Sequence, residues 1–193
     1  MTGKLIVFEG TDGSGLSTQS ALLYKYLRKR GYGVIHTKEP TNDYIGKVIR
    51  SALRRKKRFG AETLQLLFCA DRAEHIESVI KPALKLGKIV ICDRYVMSTV
   101  AYGALKLDMK WLINLNAKFR RPDITILLDV PEGVCIKRIK KRGASELFEK
   151  KERLGRIRTN YKKLGKKFKR VFVINGDRPV AEVFEDVRRK AGY

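Results

Sequence analysis

The stretch Leu5-Ile-Val-Phe-Glu-Gly10-Thr-Asp-Gly-Ser-Gly15-Leu-Ser-Thr18 decides how the chain is read. Leu5 to Phe8 is a short apolar run, the mark of a buried strand, and Gly10 ends it. Four residues separate Gly10 from Gly15 and a hydroxyl follows at Ser17, the spacing of a loop that cradles phosphate. Glycines are needed there because side chains would keep the backbone N–H groups from closing around an anion. The helix opened by Ser17 adds its N-terminal dipole. Gly10, Thr11, Asp12, Gly13, Ser14, Gly15, Leu16, Ser17 and Thr18 are therefore the candidate nucleotide-binding residues. The pattern departs at position 16, where Leu stands in place of the motif's Lys and is expected to set an apolar group near the phosphates.

Working outward, apolar runs and helical stripes alternate along the whole chain. Strands are expected at 5–8, 33–37, 88–93, 124–128 and 171–174, with helices between them, a kink or interruption at Pro82, and Pro131 at the first position of a helix. Such alternation predicts an α/β fold: a five-stranded parallel sheet with helices on both faces and right-handed crossovers, in one domain of residues 1–193. The charged interval at about 140–151 has no clear apolar face and is the candidate for a short basic lid. Ligands on a parallel sheet bind beyond the carboxyl ends of the strands. That rule gathers Glu9, Lys38, Glu39, Asp93, Arg94 and Asp129 onto one edge. A carboxylate there, Asp93, can hold Mg²⁺ opposite the Ser17 hydroxyl, and Arg94 can point a planar fork at a phosphate.

Composition narrows the class. Among 193 residues, 43 are Lys or Arg and 20 Asp or Glu, a net charge of +23. The densest runs, at Arg54 to Arg58, Lys137 to Arg142 and Lys162 to Arg170, are scattered and form no nucleic-acid-binding module. They read as solvated faces with a phosphate-attracting field, so a nucleic-acid partner is not expected. No apolar run is long enough to span a membrane, and the first strand starts too early to leave room for a signal peptide. Cys69, Cys92 and Cys135 lie in apolar segments without metal-ligand spacing, as expected of free thiols in a reducing, cytoplasmic compartment.

The stretch Ile91-Cys-Asp-Arg-Tyr-Val-Met-Ser-Thr-Val-Ala-Tyr102 resembles the signature of thymidylate kinases, P-loop enzymes that pass the γ-phosphoryl of ATP to dTMP. Phe8 to Gly15 resembles their phosphate loop, Thr37-Lys-Glu-Pro40 their Thr-Arg-Glu-Pro turn, Leu67 to Ala73 the helix that covers the base, and Arg121 to Pro131 their fourth strand. Gly103 departs from the Gln or small polar residue usual in that place. The resemblance implies Mg²⁺ as cofactor with Ser17 and Asp93 as its ligands, ATP as donor, dTMP as acceptor, and a homodimer, with apolar helix faces near Leu64 and Leu105 as candidate surfaces. It also implies that Phe68 stacks on thymine, Arg72 donates to a thymine carbonyl, and Ser98 and Thr99 read the pyrimidine edge. Tyr102 would pack where a ribose 2′-OH would sit, Arg94 would bind the acceptor phosphate, and Glu39 would belong to the same site. Asp12 would hold the sugar 3′-OH or a metal-bound water.

Gly at position 13 is the pattern of family members that draw their catalytic arginine from the lid, so Arg142 is the first candidate, Arg153 the second, and Arg138 the candidate to stack on adenine. Losing one preorganised charge-stabilising group costs about 10²–10³ in rate. The expectation is an active but slow dTMP kinase in which Lys38, Arg142 or Arg153 stands in for the missing lysine. The alternatives are a catalytically impaired nucleotide-binding paralogue, or a related deoxynucleoside or deoxynucleoside-monophosphate kinase.

Overall fold

The computed structural model describes residues 3–54, 58–141 and 148–193, the side chains of 148–150 excepted. The first strand, β1 (Lys4–Gly10), feeds the glycine loop into α1 (Leu16–Lys29), and β2 (Val34–Lys38) follows. Next come α2 (Tyr44–Leu53), α3 (Ala61–His75), a π-helical turn (Ile76–Ile80), α4 (Lys81–Lys85) and β3 (Ile89–Asp93). Then α5 (Val96–Gly103), α6 (Met109–Leu115), β4 (Ile124–Asp129), α7 (Glu132–Lys140), α8 (Phe148–Lys167), β5 (Val171–Asn175) and α9 (Val180–Ala191) complete the chain.

The expected five-stranded sheet is present, parallel throughout, in the order β2-β3-β1-β4-β5. Alternation along β1 sorts two cores. Ile6 and Phe8 face α1 and α9, where they pack with Leu23, Leu27, Val183 and Val187. Leu5 and Val7 face the opposite layer, with Val100, Leu112, Ile157 and Leu164 among its buried residues. Both faces of β1 and β3 are covered, which is why those strands read as unbroken apolar runs. From β1 the chain runs to β2 and back to β3 on one side of the sheet, then crosses to β4 and β5 on the other, so a crevice opens at the carboxyl end of β1.

Pro82 does not kink a continuous helix; the ladder widens just before it. Lys81 N–H reaches back five residues to Ile76 O, and Pro82, lacking an N–H, sits in the first turn of α4. Pro131 caps α7 from one residue outside the helix instead of occupying its first position. Helix α6 ends at Leu115, where the Asn116 side-chain amide donates to Leu112 O at 2.8 Å and closes the helix end. The interval expected as a lid divides: Lys140 ends α7, Phe148 begins α8, and residues 142–147, Arg142 among them, lie outside the described residues.

One buried carboxylate joins three elements. Glu9, at the end of β1, accepts Tyr95 N–H at 3.0 Å and Ser98 N–H at 3.1 Å, and so holds the first turn of α5. Its other oxygen accepts the Ser98 hydroxyl at 2.5 Å and the Tyr161 hydroxyl of α8 at 3.1 Å. Burial pushes the Glu9 carboxyl above its usual range, against the hydrogen bonds from Ser98 and Tyr161 and the charge of Arg94. Cys69, Cys92 and Cys135 are free and buried, and among the described residues no helix is long and apolar enough to cross a membrane.

Two outcomes follow from this packing. The folded chain holds the Glu9 proton to higher pH than the unfolded chain, so the stability tied to that proton falls as pH rises through the interval above the unfolded value of about 4.3. Glu9→Gln keeps both acceptors for the amides and can donate to the hydroxyls. The stability of Glu9→Gln minus that of wild type, from urea midpoints, should therefore grow as pH rises from acid toward neutral; a pH-independent difference would show that Glu9 does not titrate abnormally. At Gly46 in α2 a Cβ would overlap the Thr41 carbonyl oxygen, so Gly46→Ala should cost about 1–3 kcal/mol in the same measurement.

Candidate active site

The glycine loop leaves the end of β1 and turns through Gly13 and Gly15, both in the left-handed region at φ 82° and 89°. At Gly13 the requirement is double, since a Cβ would also come within 2.6 Å of Cys135 O. Ser14 N–H turns inward to Thr11 O, and Asp12 N–H is taken by the Tyr102 hydroxyl at 3.2 Å. The amides of Gly13, Gly15, Leu16 and Ser17 donate to no acceptor among the described residues, which leaves a concave row of donors at the N-terminus of α1. Arg138 closes over this loop, donating to Ser14 O at 3.4 Å and to Gly176 O at 3.0 Å in the turn between β5 and α9. Leu16 does not project among the anion donors. It is buried with Ile6, Phe8 and Leu23 beneath the loop, so the expectation of an apolar group at the phosphates is corrected.

Asp93 ends β3 directly beside this row, paired in register with Phe8 on one side and Lys38 on the other. Its carboxylate accepts His36 Nε2 at 2.9 Å. Burial pushes the Asp93 carboxyl up, but the hydrogen bonds from His36, Ser20 and Ser17 outweigh it and hold the group below its usual range. An ionised carboxylate beside a serine hydroxyl is a set of hard oxygen donors, so Asp93 and Ser17 fit a magnesium ion. His36 had no recognisable signal beyond sharing with Lys38 one side of a short strand.

Next to the loop lies a cavity of about 720 Å³ between α3, α5 and α8. Asp12, Glu39, Phe68, Arg72, Arg94, Ser98, Thr99, Tyr102 and Arg153, all singled out by sequence, line it together. Arg94 takes the left-handed conformation at φ 65°, unusual for a residue with a side chain, and this aims its guanidinium back over the loop. There it donates to Gly10 O at 2.9 Å and Asp12 Oδ1 at 2.6 Å, with the Tyr102 ring 5.2 Å away. Arg72 is 1% exposed, its Nε 2.9 Å from Glu39 Oε2, with further bonds to Thr99 Oγ1 at 2.8 Å and to Asn116 Oδ1. The rings of Tyr95 and Phe119 cover it at 4.9 and 5.5 Å. Burial opposes the charge of Arg72, and Glu39 more than restores it.

Lys38 stands apart. Its exposed side chain lies beside Asp93 and lines a separate hollow of about 300 Å³ with His36 and Asp43, outside the cavity. Arg153 lines the cavity from α8, exposed and without an ion pair among the described residues. Asp129 is occupied elsewhere: Arg158 grips it at 2.5 and 3.2 Å and Lys162 reaches it at 3.2 Å, which ties β4 to α8. Sequence reasoning placed Glu9 at this edge without a role. It missed Tyr161 and Arg156; Tyr161 bonds Ser98 Oγ at 2.7 Å, and Arg156 lines the cavity.

The model of the family described as thymidylate kinase matches residues 8–187. A probable thymidylate kinase of Pyrococcus abyssi is 44% identical over 97% of this chain and 95% of its own. A probable thymidylate kinase of Thermococcus onnurineus is 44% identical over 94% of each chain. The thymidylate kinase of Desulfotalea psychrophila is 40% identical over 96% of this chain and 92% of its own. The phosphate loop, the Asp93-Arg94-Tyr95 turn and the cavity beside them thus lie within a match that spans nearly the whole sequence, and the chain belongs to the thymidylate kinase family.

Proposed function

We propose that this enzyme transfers the γ-phosphoryl of ATP to dTMP with Mg²⁺, at a rate lowered by Leu16, in the cytoplasm and as a homodimer. The observation that carries the reading is the shared cavity. Its residues offer a stacking ring at Phe68, a carbonyl donor at Arg72, hydroxyls at Ser98 and Thr99, and a phosphate-binding fork at Arg94 beside the row of loop amides. Tyr102, held by Asp12 N–H, stands where it can exclude a 2′-hydroxyl. Mg²⁺, held by Asp93 and Ser17, would neutralise charge between the donor phosphates. No general base is required, because the acceptor phosphate is already an anion; positioning and charge supply the acceleration. Asp12 now neutralises Arg94, and an incoming phosphate would take over that guanidinium and leave Asp12 for the sugar 3′-OH. Arg138 sits between the loop and the β5–α9 turn, where an adenine could lie against it.

Arg153 is the best-placed described cation to compensate for Leu16; Arg142, the first candidate from sequence, lies outside the described residues, and Lys38 would act only on the Asp93 side. The free buried thiols support a reducing compartment, and Leu53 and Leu66, about half exposed on the packed pair α2 and α3, support a subunit contact there. A second reading, a nucleotide-binding paralogue with impaired chemistry, rests on Leu16 alone.

A coupled assay with ATP, Mg²⁺ and a panel of dTMP, dUMP, UMP and thymidine should show dTMP preferred; no dTDP above a no-enzyme blank, with nucleotide still bound, would favour the impaired paralogue. Leu16→Lys should raise kcat, by up to about 10²–10³ if the lysine reaches the phosphates, and leave KM for dTMP nearly unchanged. Arg94→Ala should lower kcat/KM for dTMP by about 10²–10³ while ATP affinity is retained. In the same assay Arg153→Ala should cost more than Lys38→Ala, and the reverse order would move the compensating charge to the Asp93 side.

A further inference from the structure

Behind the acceptor cavity lies a second hollow, of about 330 Å³, between the sheet and helices α5 and α6. Its walls are mainly apolar, built by Val7, Met97, Ile113, Phe119 and Phe168, with the polar groups of Glu9, Asn116 and Thr125 also in the lining. The Glu9 carboxyl is already occupied by the Tyr95 and Ser98 amides and the Ser98 and Tyr161 hydroxyls. Its mouth opens at the amino ends of β4 and β5, the sheet edge opposite the phosphate loop, and carries Arg120, Arg121, Lys169 and Arg170. Arg120 is paired with Asp123 at 3.1 Å; Arg121, Lys169 and Arg170 have no ion pair among the described residues. Arg170 is held in the left-handed region at φ 58° while its carbonyl accepts Thr125 N–H, which fixes it at this rim. A mainly apolar interior about ten times the ~30 Å³ share of one water, with those three cations at an entrance whose acid, Asp123, is taken up by Arg120, is the form of a small-ligand site.

The two cavities share a wall. Tyr95 lines both, and Asn116 and Phe119 line the rear one. These three side chains are the ones that hold the back of Arg72, two by ring contact and Asn116 by accepting its Nη1 hydrogen. A molecule filling the rear cavity would contact all three, and Arg72 has no slack, being wholly buried and bonded on all three nitrogens. We infer that this rear cavity is a regulatory site for a small organic anion, an aromatic or aliphatic body carrying a phosphate or similar group, whose binding alters acceptor affinity through Tyr95, Asn116 and Phe119. The body fills the apolar walls and the anion meets Arg121, Lys169 and Arg170. The site stands on its own geometry; its effect on the acceptor rests on the reading of Arg72 as an acceptor-binding residue.

The test uses 1-naphthyl phosphate, whose fluorescence reports binding directly. Saturable binding should persist with excess dTMP and in Arg94→Ala, and should weaken at least severalfold in the surface double variant Arg121→Glu with Lys169→Glu. It should also weaken in Ala117→Trp, which obstructs the cavity from its exposed side. At saturation the probe should shift KM for dTMP severalfold with little change in kcat, and dTMP should shift the probe's affinity by the same factor. Probe binding that disappears with excess dTMP or in Arg94→Ala, binding indifferent to both rear-cavity variants, no binding at millimolar probe, or an unchanged KM would each overturn the proposal. Because binding is read without turnover, an enzyme that fails to phosphorylate dTMP overturns the proposed function and leaves the rear site measurable.

Discussion

The site depends on the Glu9 carboxylate more than on any other group. A carboxylate with no exposed surface is costly unless its lone pairs are filled, and here they are filled by two amides and two hydroxyls. Each donor belongs to a part the site requires. Tyr95 and Ser98 bring the start of α5, which carries Thr99 and Tyr102 into the cavity, and Tyr161 brings α8, which carries Arg153 and Arg156. Because Glu9 immediately precedes Gly10, the same residue that ends the strand also fixes the cavity wall relative to the phosphate loop. Removing the carboxylate would leave the Tyr95 and Ser98 amides without their acceptor and the Ser98 and Tyr161 hydroxyls with only each other, which costs more than the net worth of one hydrogen bond.

A second layer of organisation is the pairing of each cavity-lining arginine of α3 and the Asp93-Arg94 turn with its own acid. Arg72 lies on Glu39 and Arg94 on Asp12. The two pairs differ in kind. Glu39 is buried and also accepts His75 Nδ1 at 3.1 Å, so the Arg72 pair is a fixed part of the wall. Asp12 is largely exposed and carries only one contact to Arg94, so that bond can be exchanged for a phosphate at little cost. On the proposed function, the rigid charge of Arg72 and the exchangeable charge of Arg94 suit a site that recognises one part of its ligand and reacts at another.

Most of the scaffold was legible in the sequence because its signals are local. Apolar runs between glycines and acids marked the strands, and the rule that ligands gather at carboxyl ends placed Glu9, Glu39, Asp93 and Arg94 on one edge from the sequence alone. What could not be read was whatever depends on partners far along the chain. The bond of Glu9 to Tyr161 spans 152 residues, and nothing in the local pattern around Tyr161, on a strongly basic helix, sets it apart. His36 looked like one more residue of a short strand until β2 and β3 were paired and its ring met Asp93. Pro82 announced a break but not its form, since a proline can be accommodated either by bending a helix or by widening the turn before it.

Leu16 shows how one substitution can be read correctly as chemistry and wrongly as geometry. The chemistry stands: a leucine donates no hydrogen bond and carries no charge. The geometry differs, because the side chain packs down onto Ile6, Phe8 and Leu23, and only its amide remains on the anion-facing side of the loop. That placement separates two properties that a lysine would combine. Anion binding by the amide row and the helix dipole needs no side chain at position 16. Stabilisation of charge as it moves between phosphates does need a mobile cation, and the apolar packing at 16 commits that position to the core. On the proposed function, a cation from outside the loop would supply it, and α8 presents Arg153 and Arg156 to the cavity on the helix that Glu9 anchors through Tyr161. The constraint at the end of β1 thus reaches the chemistry by a route that the glycine loop alone could not supply.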